Sequence, residues 1–249
     1  MLTAFKNIFA TPRDLILVVI ALWIGLWLAE KRSERHDITV ADLNNLTFYP
    51  LTGFLLGGRL FFAVENLSAF SRNPASLFSL NMDLFDPYGG MLVAILVAWA
   101  YSYRRSLSIW SALDAMTPIF AATAVGIAFS HLATGDAFGK EASLPWSVRL
   151  WGAARHPSQV YEILAAIVIL GILWYLELAL RPGGYFLVFS ILTSGFRVFL
   201  EAFRGDSTLI AGGLRLEQVL AWCILAVSLC LLERLLENSP KYTEASKHG

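Results

Sequence analysis

Apolar residues run in long stretches along this chain of 249 residues, and polar residues fall mainly in the intervals between them. A helix needs about 20 mainly apolar residues to cross the roughly 30 Å hydrocarbon core of a bilayer. Runs of this kind predict seven membrane-spanning helices, near residues 10–29, 46–65, 88–103, 109–131, 157–178, 184–203 and 215–233. We therefore expect an all-α, polytopic membrane protein with a single transmembrane domain over residues 1–249.

The polar intervals indicate how these helices are connected and oriented. The interval after the fourth run is too long and too polar for a tight turn, so we expect residues 132–156 to form a small cap on the outer face. Residues 237–249 should form a polar cytoplasmic tail. The basic clusters that begin at Lys31 and Arg104 favour cytoplasmic loops, which puts the N-terminus outside and the C-terminus in the cytoplasm.

Composition agrees with a membrane protein and narrows the function. Hydrophobic residues make up 57% of the chain and charged residues only 15%, below the roughly 25% of soluble domains. The 19 basic and 19 acidic residues cancel, so no basic surface argues for a nucleic-acid partner. The four histidines are scattered without a ligand-like spacing, and we expect neither a metal nor a cofactor.

The densest group of polar residues is the octet RHPSQVYE at 155–162, which immediately precedes an apolar run. Pro157 suits the first turn of a helix, and Glu162 falls where the positive helix end favours a carboxylate. Ser158 shares a helix face with Glu162, and His156 lies beside that face. The octet is therefore either a decorated helix cap or a polar site at the membrane surface that holds a proton carrier.

A second polar stripe lies in the sixth apolar run. Its members recur every three or four residues, which predicts that they share one helix face: Ser190, Thr193, Ser194, Arg197, Glu201 and Arg204. A charged stripe in lipid has to face the protein interior. Arg197 and Glu201 can simply neutralise each other. Arg204 then leaves a surplus of positive charge, which suits a phosphate group because a guanidinium bonds two oxygens at once.

Two further ionisable residues lie within apolar runs. Arg59 follows Gly53, Gly57 and Gly58, a spacing that lets two helices approach closely. An arginine there needs a partner or has to reach an interface. His131 ends the fourth run, and a histidine at that depth is either bonded to a neighbour or functional.

Residues 156–162, HPSQVYE, resemble the HPSQ-x-YE segment of the prolipoprotein diacylglyceryl transferases, a family of bacterial inner-membrane enzymes. Further segments resemble family elements: 135–140 and 144–146 are similar to NGE-x-YG and LPW, and 196–204 to FR-xxx-E-xx-R. Tyr88 stands where the family has the histidine of an HGG element. Gln218 resembles a glutamine of the family's last helix.

The resemblance implies a reaction and a localisation. Family enzymes of the bacterial inner membrane transfer the diacylglyceryl group of phosphatidylglycerol to the lipobox cysteine of a prolipoprotein, release glycerol phosphate and use no metal. The positions that match the family are Arg59, Asp136, Gly139, His156, Ser158, Gln159, Tyr161, Glu162, Arg197, Glu201 and Arg204. We therefore expect phosphatidylglycerol or another anionic phospholipid as a partner, and a prolipoprotein as the acceptor.

One family signature, GR-x-GNF, does not match at 126–131. Either register puts Ile127 or Ala128 at its arginine, and Ser130 or His131 at its asparagine. These differences leave two alternatives to the family reaction. The chain is then a divergent or inactive relative that binds anionic phospholipid, or it transfers the lipid group to another acceptor. A transporter is less favoured, because no inverted repeat or broken helix is evident.

Attack of a thiol on the glycerol carbon needs a base for the thiol and positive charge for the departing phosphate. The candidate catalytic residues are His131 and His156 as bases, with Glu162 and Glu201 as orienting groups. The candidate residues for the lipid headgroup are Arg59, Arg197, Arg204, Ser158, Gln159, Tyr161, Asp136, Gly139 and Tyr88.

Overall fold

The computed structural model describes residues 13–72, 84–175 and 180–237. Within these ranges the chain forms eight α-helices and one hairpin: α1 (Arg13–Glu30), α2 (Val40–Glu65), α3 (Leu67–Arg72), α4 (Pro87–Arg104), α5 (Ile109–Thr134), β1 (Val148–Leu150), β2 (Ala153–Arg155), α6 (Ser158–Tyr175), α7 (Gly184–Leu200) and α8 (Leu216–Glu237). A largely helical fold is therefore confirmed.

Five of these helices, α2, α5, α6, α7 and α8, are long and apolar enough to cross a membrane. Helices α1 and α4 coincide with the first and third predicted runs, and the count of seven spans stays a prediction. The predicted ends at 10–12 and 176–178 lie outside the described residues, and so do residues 238–249 of the predicted tail. The last helix continues to Glu237, four residues beyond its predicted end at 233.

The chain divides into two compact units. The large unit contains Met1–Ala29 and Thr117–Gly249, and the small unit contains Glu30–Met116.

Close helix packing through glycine organises the small unit. A methyl group at Gly57 would lie 2.6 Å from Val93 Cβ, and one at Gly53 would lie 3.0 Å from Val97 Cγ2. Both valines belong to α4, so the predicted close approach of helices at this glycine run is confirmed. Only glycine lets the α2 backbone come this near to α4.

Helix α2 begins at Val40, six residues before its predicted start at 46. Thr39 caps the helix, because its hydroxyl oxygen accepts a hydrogen bond from the Asp42 backbone N–H at 3.1 Å. The Asp42 side chain is buried and accepts hydrogen bonds from Tyr101 Oη at 2.8 Å and Arg105 Nε at 2.9 Å. The buried Asp42 side chain thus finds its hydrogen-bond partners within the unit, and segment 40–45 belongs to the helix rather than to a loop.

In the large unit, small residues bring α1 against α5. A methyl group at Gly25 would lie 2.8 Å from Ile119 Cα, and one at Gly126 would lie 2.4 Å from Ala21 Cβ. A buried cluster then joins α5, α6 and α7 through Ala121, Ile169, Leu173 and Tyr185. The Tyr185 hydroxyl donates a hydrogen bond to the Leu173 carbonyl at 2.8 Å, which satisfies its polar group inside this core.

The predicted cap at 132–156 contains the hairpin, although α5 extends through Thr134 before the cap begins. Strands β1 and β2 pair antiparallel, with Val148 opposite Arg155. The two turn residues, Trp151 and Gly152, have φ values of 54° and 78°, as a type I′ hairpin turn requires. The cap is therefore a folded element rather than a flexible connection.

Candidate functional site

Polar and ionised side chains of the large unit meet where α5, α6, α7 and α8 begin or end. We call this set the polar cluster: His131, Glu162, Arg197, Glu201, Arg204, Asp206, Ser207, Arg215 and Glu217. Five of the nine residues were predicted site residues. The cluster joins the octet to the polar stripe of the sixth apolar run through Glu162 and Arg197, which are 35 residues apart in the chain.

The octet and α5 meet at one hydrogen bond. His131 Nδ1 lies 2.8 Å from Glu162 Oε2. His131 is in the last turn of α5, where the helix end favours a positive charge, and Glu162 is in the second turn of α6. His131 is thus bonded to a neighbour, one of its two predicted states, and that neighbour is a candidate catalytic residue.

Arg197 continues this chain of contacts. Its Nη1 lies 3.5 Å from Glu162 Oε1, and its Nε lies 3.6 Å from Glu201 Oε2, four residues further on. Its Nη2 pairs with Glu217 of α8. Three carboxylates therefore surround one guanidinium, and a contiguous path runs from the imidazole of His131 to Arg197.

Glu201 is the buried anchor of the cluster, with a side chain that is 0% exposed. It accepts a hydrogen bond from the Ser207 hydroxyl, while Arg204 Nε and Arg215 Nη1 lie 3.9 Å and 4.0 Å from its carboxylate oxygens. Its Oε2 has no hydrogen-bond partner among the residues that the structure describes. A carboxylate buried this deeply depends on the surrounding guanidiniums for its charge.

Arg204 departs from the sequence prediction in two ways. Helix α7 ends at Leu200, and a 3-10 turn follows over Glu201–Phe203, so Arg204 is extended (φ −74°, ψ 140°) and leaves the helix face. Its Nε and Nη2 also bind Asp206, both at 2.9 Å. Burial lowers the pKa of Arg204, but the carboxylates of Asp206, Glu201 and Glu162 together raise it above its usual value.

The predicted surplus of positive charge is wrong for this cluster. Arg197, Arg204 and Arg215 supply three positive charges, whereas Glu162, Glu201, Asp206 and Glu217 supply four negative charges. The sequence prediction counted only the residues of one helical stripe. The loop and the last helix contribute the additional carboxylates.

Other octet residues fasten the cap to α6. The Ser158 hydroxyl donates to the Ala137 carbonyl at 2.5 Å, and Gln159 Nε2 donates to the Asp136 carbonyl at 2.9 Å. Both donors are buried, while the Asp136 side chain is exposed. A methyl group at Gly139 would lie 2.2 Å from a backbone oxygen of the octet, which explains the glycine. These four residues join cap and helix, and a headgroup role for them stays a prediction.

His156 and Tyr161 line an apolar groove beside the cluster. The two rings pack edge to face, with centroids 6.2 Å apart, and Trp146 Nε1 donates to the Tyr161 hydroxyl at 2.9 Å. Among the described residues, nothing hydrogen-bonds to the buried Nδ1 of His156. The groove has a volume of about 430 Å³ and is lined by Leu144, Trp146, His156, Tyr161, Leu164, Ala165, Val168, Phe196, Phe199, Leu200 and Phe203.

Arg59 and Tyr88, the remaining predicted site residues, belong to the small unit. Arg59 Nη1 donates to the Leu84 carbonyl at 2.8 Å, so one partner of its guanidinium is a carbonyl of the same unit. Tyr88 is 85% exposed in the first turn of α4, where Asp86 caps the helix by accepting from two backbone N–H groups.

Sequence reasoning missed Asp206, Ser207, Arg215 and Glu217. Only Arg215 and Glu217 carried a signal, since they flank the start of the last apolar run beside Gln218. Gln218 itself donates from Nε2 to the Val198 carbonyl at 3.0 Å, and this bond ties α8 to α7. Charged residues at the edge of an apolar run can therefore belong to the same site as those within it.

These features define a helical membrane protein in which an ion-paired cluster lies beside an apolar groove. Such a pairing suits an amphiphilic substrate, with a polar group for the cluster and hydrocarbon for the groove.

The chain belongs to the prolipoprotein diacylglyceryl transferase family, whose model matches residues 15–233. It is 30% identical over 200 residues to the phosphatidylglycerol–prolipoprotein diacylglyceryl transferase of Oleidesulfovibrio alaskensis, an alignment that covers 76% of this chain and 73% of the relative. The enzymes of that name from Coxiella burnetii and Bordetella parapertussis are each 28% identical, over 76% and 74% of this chain and 74% of each relative. The resemblance seen in the sequence is confirmed.

Proposed function

We propose that this protein transfers the diacylglyceryl group of phosphatidylglycerol to the cysteine of a prolipoprotein. Family membership and the names of its relatives support this reaction. The observation that carries the proposal is the contact path from His131 through Glu162 to Arg197, since it links a proton acceptor to a cation. Those are the two groups that thiol attack with loss of a phosphate requires.

In this reaction His131 acts as the general base. Glu162 faces its Nδ1, and a carboxylate can only accept, so the hydrogen of the neutral imidazole lies on Nδ1 and Nε2 is the proton acceptor. Nε2 takes the thiol proton as the sulfur attacks the glycerol carbon that carries the phosphate ester. The C–S bond forms, the C–O bond breaks, and glycerol phosphate departs with the electron pair.

Arg197 stabilises the phosphate that departs, and Glu201 positions Arg197. A guanidinium forms paired hydrogen bonds to phosphate oxygens, and these bonds strengthen as negative charge develops on the leaving group. Glu201 makes no contact with solvent, so its role is to hold the guanidiniums of the cluster in place. It is a positioning residue rather than a catalytic one.

The groove is the site for an apolar part of the substrates. Tyr161 and Phe196 line it, and each is the chain neighbour of a cluster residue, Glu162 or Arg197. Groove and cluster thus occupy neighbouring faces of α6 and α7. A lipid with its phosphate at Arg197 has hydrocarbon within reach of this groove.

The finer topology is also part of the proposal. Seven spans in the bacterial inner membrane, an outer N-terminus and a cytoplasmic C-terminus would place the cap at 132–156 on the outer face, where prolipoproteins present their cysteines. Arg59 and Tyr88 would then serve as further headgroup residues of the small unit.

The test is a transfer assay with purified protein, labelled phosphatidylglycerol and a lipobox peptide, compared with the same peptide carrying serine in place of cysteine. The parent should form a lipidated cysteine peptide and release glycerol phosphate. His131→Ala should lower turnover at least about 100-fold, as loss of a general base does, while lipid binding survives. His36→Ala, in the small unit, is the matched control and should retain activity.

Retained turnover in His131→Ala would remove this residue from the mechanism and leave His156 as the candidate base. A parent protein that binds phosphatidylglycerol but lipidates neither peptide would refute the transferase proposal. The alternative, a relative that binds anionic phospholipid without this transfer, would then take its place.

A further inference from the structure

Glu217 has the most solvent-accessible carboxylate of the polar cluster. Its side chain is 44% exposed, compared with 22% for Glu162, 22% for Asp206 and 0% for Glu201. It lies in the first turn of α8 and pairs with Arg197 Nη2. No step of the proposed reaction uses it.

Glu217 pairs with Nη2 of Arg197, the nitrogen that a phosphate needs most. A guanidinium offers two edges for paired hydrogen bonds, Nε with Nη2 and Nη1 with Nη2, and Nη2 belongs to both. In Arg197, Nε faces Glu201 and Nη1 faces Glu162, while Nη2 is held by Glu217. With a carboxylate facing each of its three nitrogens, Arg197 offers a phosphate no edge on which both nitrogens are unoccupied unless one of these carboxylates moves.

The charges of the cluster lead to the same result. Its four carboxylates already exceed its three guanidiniums, so an added anionic phosphate would raise the excess of negative charge unless a carboxylate moved away. Glu201 is enclosed, Glu162 is bonded to His131, and Asp206 binds Arg204 through two hydrogen bonds. Glu217 is the carboxylate that can turn into solvent.

We propose that Glu217 is a specificity-determining residue that competes with the anionic headgroup of the lipid for Arg197. Its carboxylate stands in for the phosphate at Nη2 and swings out when an anionic headgroup binds. This inference rests on the proposed function, because it assumes that Arg197 receives a lipid phosphate. It adds that headgroup binding is opposed by a residue of the chain itself and is weaker than Arg197 alone would permit.

The experiment measures binding of the full-length protein to two short-chain lipids with the same acyl chains, phosphatidylglycerol and phosphatidylcholine. Glu217→Gln keeps the size of the side chain and removes its charge. It should bind phosphatidylglycerol roughly 2- to 5-fold more tightly than the parent, the range for loss of a partly exposed competing ion pair. Affinity for phosphatidylcholine, whose headgroup has no net charge, should change less than about 2-fold.

Glu233→Gln is the matched control, because it removes the charge of an exposed glutamate from the same helix. It should bind both lipids as the parent does. The double variant Arg197→Gln/Glu217→Gln should lose the gain in affinity, since the gain depends on the guanidinium that Glu217 releases. A change in folding would alter the affinity for both lipids. A change in net charge would alter binding in both glutamate variants.

The outcomes separate this inference from the proposed function. If the parent prefers phosphatidylglycerol and Glu217→Gln binds it equally or less tightly, competition by Glu217 is refuted and the proposed function stands. If neither the parent nor Glu217→Gln distinguishes the two lipids, both are refuted. A preference for phosphatidylglycerol that appears or increases only in Glu217→Gln supports the inference.

Discussion

Replacing Arg197 by alanine should destabilise the protein as well as weaken its reaction. Breaking a buried ion pair costs about 3–5 kcal/mol, and an exposed pair contributes only about 0.2–1 kcal/mol. Arg197 is 29% exposed, and the enclosed Glu201 keeps Arg204 and Arg215 at 3.9 Å and 4.0 Å. We therefore expect a loss between these limits, about 2–3 kcal/mol, or about 4–12 °C in melting temperature.

The assay is thermal unfolding in one detergent for the parent, Arg197→Ala, Glu201→Gln and the double variant. Most of the loss comes from the Glu201 carboxylate left without Arg197. The double variant, in which Glu201 is neutral, should therefore recover about 1 kcal/mol or more of the free energy of unfolding. Arg149→Ala, at an exposed position of β1, is the control and should melt with the parent. Additive losses in the double variant, or an Arg197→Ala protein that melts within about 1 °C of the parent, would refute the reasoning.

Two further predictions concern stability away from Arg197. A methyl group at Gly139 would lie 2.2 Å from a backbone oxygen, so Gly139→Ala should lower the free energy of unfolding, measured with a chemical denaturant, by about 1–3 kcal/mol. Gly195→Ala, in open space on α7, is the control and should be neutral or stabilising. Burial lowers the pKa of His36, although Asp114 opposes the shift, so His36 favours the native state when neutral. The stability of the native state should therefore be highest above about pH 6.5 and decline as the pH falls below it. Melting curves of His36→Gln should lack this part of the pH dependence of stability. An unchanged pH dependence would contradict the role given to His36.

The sequence predicted the helices well because each long apolar run has only one way to bury its backbone in a bilayer. The start of α2 was missed because Asp42 reads as a loop residue until its partners Tyr101 and Arg105 are known, about 60 positions away. The same limitation applied to Gln159, because its motif did not reveal that its Nε2 donates to a carbonyl of the cap. Periodicity places a residue on a face but does not identify what that face contacts.

Five of the nine residues of the polar cluster were predicted from the sequence, but the charge of the cluster was not. His131, Glu162 and Arg197 were singled out separately, and the structure brings them into one path. The excess of negative charge depends on residues that lie outside the polar stripe, notably Asp206 and Glu217. Which charges pair is decided by the turn at the end of α7 and by its packing against α8, and neither follows from spacing along the chain.

The spacing of Arg197 and Glu201 also has a consequence for how the protein enters its membrane. An arginine costs about 2.5–3.5 kcal/mol on insertion scales at the centre of a bilayer and less near the end of a helix, where Arg197 lies, and a glutamate adds a cost of its own. Glu201 follows directly after α7, and its backbone N–H still bonds to the Arg197 carbonyl, so the two side chains lie one helical turn apart. The pair can form as soon as this helix does, before α6 or α8 is in contact, and the helix is then inserted with these two charges already neutralised.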